Sequence, residues 1–291
     1  MPAWAADGRI LDRLRRFGRV VAAATALAVI SGVAAGPAGA QTSDLVSSTA
    51  LRVCADPANM PFSNEAGEGF ENRIAELLGR ELGRPVRYTW FPQATGFIRR
   101  TLFEGRCDVV IGYAQGDEMV LNTNHYYTSA YVLVTRPDSD LADVGTLADP
   151  RLAGRRIGVV AGTPPTSHMT RHGLIGHARP YGLMVDRRSE SPNEQMVAAL
   201  RAGEIDAAVM WGPIGGSYAA RGGPALKVTP LLREEGAPRL FYRITMGVRP
   251  GEVVWKRELN SLIRRNQAEI DAILTEFGVP LVNDMGTDLK G

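Results

Sequence analysis

Cysteine and histidine are scarce in this 291-residue chain, at two and four residues. The two thiols, Cys54 and Cys107, stand too far apart for a C-x-x-C redox pair. No H-E-x-x-H, G-x-S-x-G or P-loop motif occurs, so the common sequence marks of zinc hydrolases, serine hydrolases and phosphate cradles are missing. Charge of one sign is also lacking, with 33 Lys+Arg against 31 Asp+Glu, and no basic patch argues for nucleic acid. Thirty-two glycines and 18 prolines without a repeat exclude a collagen-like chain, and 45% hydrophobic with 22% charged residues excludes a disordered one.

Long apolar runs are missing too. Val20 to Ile30 falls short of the roughly 18 apolar residues that span a bilayer. It follows Arg9, Arg13, Arg15, Arg16 and Arg19 and precedes Ala38-Gly39-Ala40, the pattern of a secretory leader cleaved after residue 40. Taking five arginines and two aspartates from the totals leaves 28 basic and 29 acidic residues, a net charge of −1. The expected mature protein is exported, without a membrane span. In an oxidising compartment Cys54 and Cys107 tend to pair, closing a loop of 53 residues worth roughly 3–4 kcal/mol. Two free buried thiols are the alternative. If the two cysteines sit on parallel neighbouring strands, a three-residue offset of about 10 Å lies beyond disulfide reach.

The mature part alternates strands and helices. Leu51–Ala55, Pro85–Trp90 and Asp108–Gly112 read as strands. A helix with Phe70, Ile74, Leu77, Leu78 and Leu82 on one face stops at Gly83, and a short one spans Gly96–Gly105. Tyr131–Thr135 reads as a strand leaving this unit. A second unit carries strands at Arg156–Val160, Ile205–Met210, Leu226–Leu232 and Leu240–Val248, with a helix opened by Ser191-Pro192-Asn193-Glu194. A long helix from Trp255 to Phe277 keeps one apolar face. The expected architecture is α/β and two-lobed, each lobe a mixed sheet flanked by helices, joined by two crossover strands. Its expected parts are a leader at 1–40, a first lobe from 41–135 and 241–291, and a second lobe from 136–240. Ligands of such sheets bind beyond the carboxyl ends of the strands.

Arg52-Val53-Cys54-Ala55-Asp56, Gly69-Phe70, Gly105-Arg106-Cys107-Asp108 and Leu152-Ala153-Gly154-Arg155-Arg156 resemble the periplasmic solute-binding proteins of the amino-acid-receptor fold. The runs from Cys54 to Asn64, Gly67 to Asn72 and Tyr88 to Pro92, with Gly96-Phe97-Ile98-Arg99, resemble the narrower MxaJ/XoxJ group, encoded beside quinoprotein methanol dehydrogenases. That resemblance implies a periplasmic accessory without catalytic residues or cofactor of its own. Its implied partner is a PQQ-dependent methanol dehydrogenase of the calcium or lanthanide type, with that enzyme's cytochrome c as a second candidate.

Amino-acid receptors of this fold hold the ligand carboxylate with an Arg after the third strand and its ammonium with an Asp in the second lobe. Here the matching stretches are Gly112–Glu118 and Trp211-Gly212-Pro213, and both anchors are absent. A desolvated zwitterion without them is strongly disfavoured. The expected cleft gathers Asp56, Asn59, Phe62, Glu68, Glu71, Trp90, Tyr113, Thr163 and Trp211, aromatic walls with a few polar groups. Such walls suit a neutral or aromatic guest or a protein side chain; a purely structural role for Phe62 and Trp90 is the alternative. The second functional reading is the receptor of an ABC importer for a small neutral or aromatic solute. An enzyme would need a nucleophile or a carboxylate clamp beside Asp56 and Glu71, and none is found. His168 and His172, four apart, share a helix face with His177 close behind, but no carboxylate or thiol completes the set locally, so no metal site is expected.

Overall fold

Buried strands form from the valine- and isoleucine-rich runs, and amphipathic helices cover them. The structure, a computed structural model, describes residues 45–183, 185 and 190–290, so the expected leader lies outside the described residues. The elements begin with β1 (Leu51–Ala55), β2 (Ala58–Asn59), β3 (Ser63–Asn64), α1 (Phe70–Leu82), β4 (Val86–Trp90), α2 (Phe97–Arg100), β5 (Val109–Ala114), β6 (Leu121–Asn122) and β7 (Tyr127–Thr135). Next come β8 (Ile157–Val160), α3 (Pro164–Arg171), β9 (Arg179–Tyr181), α4 (Pro192–Arg201), β10 (Ala207–Trp211), α5 (Gly212–Ala220) and β11 (Lys227–Pro230). The last are β12 (Phe241–Val248), α6 (Val253–Arg265) and α7 (Gln267–Glu276).

Strand order is β4-β1-β5-β12-β7-β10-β8-β9. β1 runs parallel to β4 and β5, and β12 runs antiparallel to β5 and β7. β7 joins the two halves. Its residues 127–130 pair with β12, and from Tyr131 onward it pairs with β10 and β11 instead. One lobe encloses a core centred on Phe70, Ile74, Leu78, Val109 and Trp255. The other has cores on both faces of its sheet, around Leu133, Ile157 and Val209 on one and Val134, Met196 and Ile205 on the other.

The two cysteines are joined, with Cα atoms 5.5 Å apart. β1 and β5 are indeed parallel neighbours, Cys54 facing Val110. The three-residue offset holds only along a straight strand, whereas Cys107 precedes β5, in the connection from α2. The chain leaves the strand line there and brings Cys107 over Cys54, into a cluster with Phe97, Ile98 and Leu102.

Two further elements depart from the sequence reading. The long last helix is two helices, broken at Asn266, whose Nδ2 donates to the Leu262 carbonyl at 2.9 Å and caps the first. Helix α5 has no counterpart in the sequence reading, because Gly212, Gly215 and Gly216 disfavour a helix by roughly 1 kcal/mol each. They are needed for close approach. A Cβ on Gly216 would lie 1.9 Å from the Gly278 carbonyl oxygen, and one on Gly212 would lie 2.3 Å from that of Ala130.

Candidate functional site

A cavity of about 850 Å³ opens where β7 passes from one lobe to the other, within the range of small-molecule sites. Its first-lobe floor is the 56–64 loop. Asp56 fixes that loop: one carboxylate oxygen accepts from the Ala58 amide at 2.9 Å, the other from the Gln93 amide at 2.7 Å. The Asn59 side chain donates to Gln93 Oε1 at 3.0 Å. The start of α1 is tied to the same loop, since the Phe70 and Glu71 amides donate to the Pro61 and Phe62 carbonyls, both at 2.9 Å. Gly69 permits this approach, as a Cβ there would lie 2.1 Å from the Phe62 oxygen.

Three rings make the junction wall. Trp211 sits directly opposite Tyr131 in the β10–β7 register, with ring centroids 5.3 Å apart. Tyr242 of β12 stands 5.8 Å from Trp211 and 6.5 Å from Tyr131. All three pairs are edge-on, the favourable aromatic geometry. Burial, and next the neighbouring Tyr242, raises the pKa of Tyr131, so its hydroxyl stays protonated.

Of the nine residues read from the sequence, Asn59, Phe62, Glu71, Thr163 and Trp211 line this cavity. Asp56 stands behind its wall. Glu68 accepts from the Asn64 side chain at 2.8 Å on an exposed loop. Trp90 stacks on Tyr88 at 4.4 Å against the core, beside α1. Tyr113 donates to Asp117 at 2.9 Å; burial and that bond push its hydroxyl up to about 12. Neither Trp90 nor Tyr113 lines the cavity. Tyr131 and Tyr242 do line it and were not singled out in the sequence. The signal available was an aromatic residue in each of two expected strands that flank the lobe connection.

Glu71 is held against β5 by Gly112, which has φ +81°; a Cβ there would lie 1.8 Å from Glu71 Oε1. Replacing Gly112 with alanine adds a left-handed backbone, about 1–2 kcal/mol, and a clash with Glu71. The expected result is an unfolding free energy lower by at least that amount and a changed native-state tryptophan emission. Both are read in one urea titration.

His168 is held by hydrogen bonds on both ring nitrogens. Arg171 donates to His168 Nδ1 at 3.1 Å, so Nε2 carries the proton and donates to the Pro238 carbonyl at 2.7 Å. Arg171 also donates to the Glu235 and Ala237 carbonyls at 3.0 and 2.8 Å, which pins the 234–238 loop to α3. Among the described residues no group of three or more His, Cys, Asp or Glu is arranged to hold a metal, and no helix is long and apolar enough to cross a membrane.

No family model matches the chain. It is 33% identical over 294 residues to Protein MoxJ of Methylorubrum extorquens, covering 93% of this chain and 97% of that one. Protein MoxJ of Paracoccus denitrificans is 29% identical over 252 residues, with 82% and 91% covered. The crystal structure of the periplasmic binding protein XoxJ from Methylobacterium extorquens AM1 superimposes with a TM-score of 0.69 at 42% identity, over 80% of this chain and 100% of the other.

Proposed function

The chain belongs to the MoxJ family, with the two-lobed fold of periplasmic binding proteins, and from that premise we propose that it is a non-catalytic periplasmic accessory of a PQQ-dependent methanol dehydrogenase. It acts by clasping a segment of the dehydrogenase and aids maturation or activation of that enzyme. The described residues of 45–130 with 241–290 form one jaw and those of 131–240 the other, since β7 changes partners at Tyr131 and not after residue 135. Hinge motion at β7 and at the 240–241 junction couples binding to a conformational change.

One observation carries this reading: an aromatic-walled cavity between the strand ends, without an arginine after β5 or an aspartate after β10 to hold a free amino acid. No arginine follows β5 before Arg136, and β10 runs through Trp211 directly into α5. Titrating the protein into apo and cofactor-loaded dehydrogenase, with activity followed in parallel, tests it. Saturable binding that prefers the apo form supports maturation. Trp211→Ala removes an anchor from the wall, and central aromatic anchors are worth about 2 kcal/mol or more, so a loss of roughly thirtyfold in affinity is expected. Unchanged affinity would move the contact to an outer surface.

The size of the cavity also favours a second reading, the receptor of an importer for a small neutral or aromatic solute. That reading requires a solute that raises the melting temperature with no dehydrogenase present.

A further inference from the structure

Among the described residues, Glu71 is the single acidic or basic side chain lining the cavity that is buried, with 9% of its surface exposed. Glu190, Glu194 and Arg221 also line it and are exposed at its rim. The Glu71 carboxyl accepts no hydrogen bond from a described residue. No cation faces it. Asp56 at the end of β1, Gly112 of β5, Tyr88 of β4, and Tyr126 and Tyr127 at the start of β7 are its neighbours. The α7 side of α1 carries charges only in exposed pairs, Arg73 with Glu276 and Arg80 with Glu269. A buried acid with no partner, opening into a cavity walled by three aromatic rings, lacks one thing: a positive charge on an apolar stem. Aromatic faces attract such a charge, and a buried carboxylate requires one.

We propose that the cleft receives an organic cation, an alkylammonium or guanidinium group, with its charge on Glu71 and its carbon chain against Tyr131, Trp211 and Tyr242. The inference rests on the reading of the cleft as a binding site. Burial first, and Asp56 second, hold the Glu71 carboxyl well above its ordinary 4.5. Below that raised pKa the empty cleft keeps the acid protonated, and the arriving cation displaces the proton to solvent. One proton leaves for each cation bound. Affinity therefore climbs tenfold per pH unit below the raised pKa and levels off above it.

The probe is n-butylammonium chloride, titrated calorimetrically in two buffers of different ionisation enthalpy, with n-butanol and butyrate as neutral and anionic counterparts. Saturable ammonium binding at least tenfold tighter than butanol, with one proton released, is the expected result. Glu71→Gln should weaken the ammonium at least tenfold and abolish the buffer dependence while leaving butanol unchanged. This variant keeps the fold, because the amide replaces a group whose charged form is penalised by burial. Its stability should exceed that of the parent above pH 4.5, and the gain should vanish below. Trp211→Leu, which leaves Glu71 in place, should weaken both probes. Butanol binding as tightly as butylammonium, or ammonium binding that survives Glu71→Gln, overturns the inference.

Adding methanol dehydrogenase separates the two sources of the cation. Competition with butylammonium assigns it to a lysine or arginine side chain of the enzyme; simultaneous binding assigns it to a free amine. If the dehydrogenase binds through Trp211 while no cation binds, the cation inference falls and the cleft reading stands. If the cation binds and the dehydrogenase does not, the cation inference and the cleft stand and the dehydrogenase-accessory reading falls.

Discussion

Replacing Arg249 with methionine is expected to lower the unfolding free energy by about 3–5 kcal/mol, the cost of breaking a buried ion pair from one side. Arg249 is 6% exposed and Asp108 1%. The guanidinium donates to Asp108 Oδ1 at 2.8 Å, to Glu252 Oε1 at 3.3 Å, and to the carbonyls of Leu102 and Cys107. It thus gathers the end of the α2 connection, the entrance of β5 and the start of α6 around one charge. Methionine matches the stem but supplies none of the donors. Arg52 still reaches Asp108, at 2.6 Å, and is part-exposed on the opposite side, so it partly offsets the loss. The Asp108→Asn variant retains an acceptor for both arginines and should cost less than Arg249→Met. Urea midpoints for the two variants check this order, and equal losses would mean that the carbonyl contacts of Arg249 contribute nothing.

Removing the Cys54–Cys107 bond, as the double alanine variant, is expected to cost about 4 kcal/mol through the entropy of the 53-residue loop in the unfolded chain. That loop contains β1's exit, α1 and β4, hence the 56–64 floor of the cleft and Glu71. The loss should therefore appear in two places: a lower global midpoint, and faster hydrogen exchange in the 56–69 loop and α2. Both sulfurs are fully buried among Phe97, Ile98 and Leu102, so alanine also leaves a small cavity and adds to the loss. Adding a reductant to the parent should reproduce the double variant, apart from the cavity contribution. A reduced parent as stable as the oxidised one would show that the unfolded chain gains nothing from cutting the loop.

Much of this molecule was legible one element at a time. The apolar period of Phe70, Ile74, Leu77 and Leu78 needs only one covered face, and Gly83, with φ +63°, ends α1 where the pattern stops. Ser191 accepts from the Glu194 amide at 3.3 Å and starts α4 where its capping signal stands. Hydrophobic period and cap chemistry are local, so neighbouring residues suffice to set them. The missing anchors for a zwitterion were equally plain, because an absent side chain needs no coordinates.

Features that depend on two distant backbones touching came from tertiary contacts alone. Gly212 and Gly216 stand in α5 because their partners, Ala130 and Gly278, arrive at distances no Cβ would allow. Cys107 reaches Cys54 because the chain bends before β5, against the straight-strand arithmetic. Trp90 and Tyr113 stand outside the cavity, while Tyr131 and Tyr242 enter it, because strand pairing at the lobe junction sets which rings meet there. Glu71 is at once buried and open to the cavity through Gly112 of a strand some forty residues away in the chain. Local pattern set most of the elements and left the usual amino-acid anchor positions after β5 and β10 without their charges; contacts between segments far apart in the chain decided which side chains share the cleft, since register and close approach are properties of pairs of segments and of neither alone.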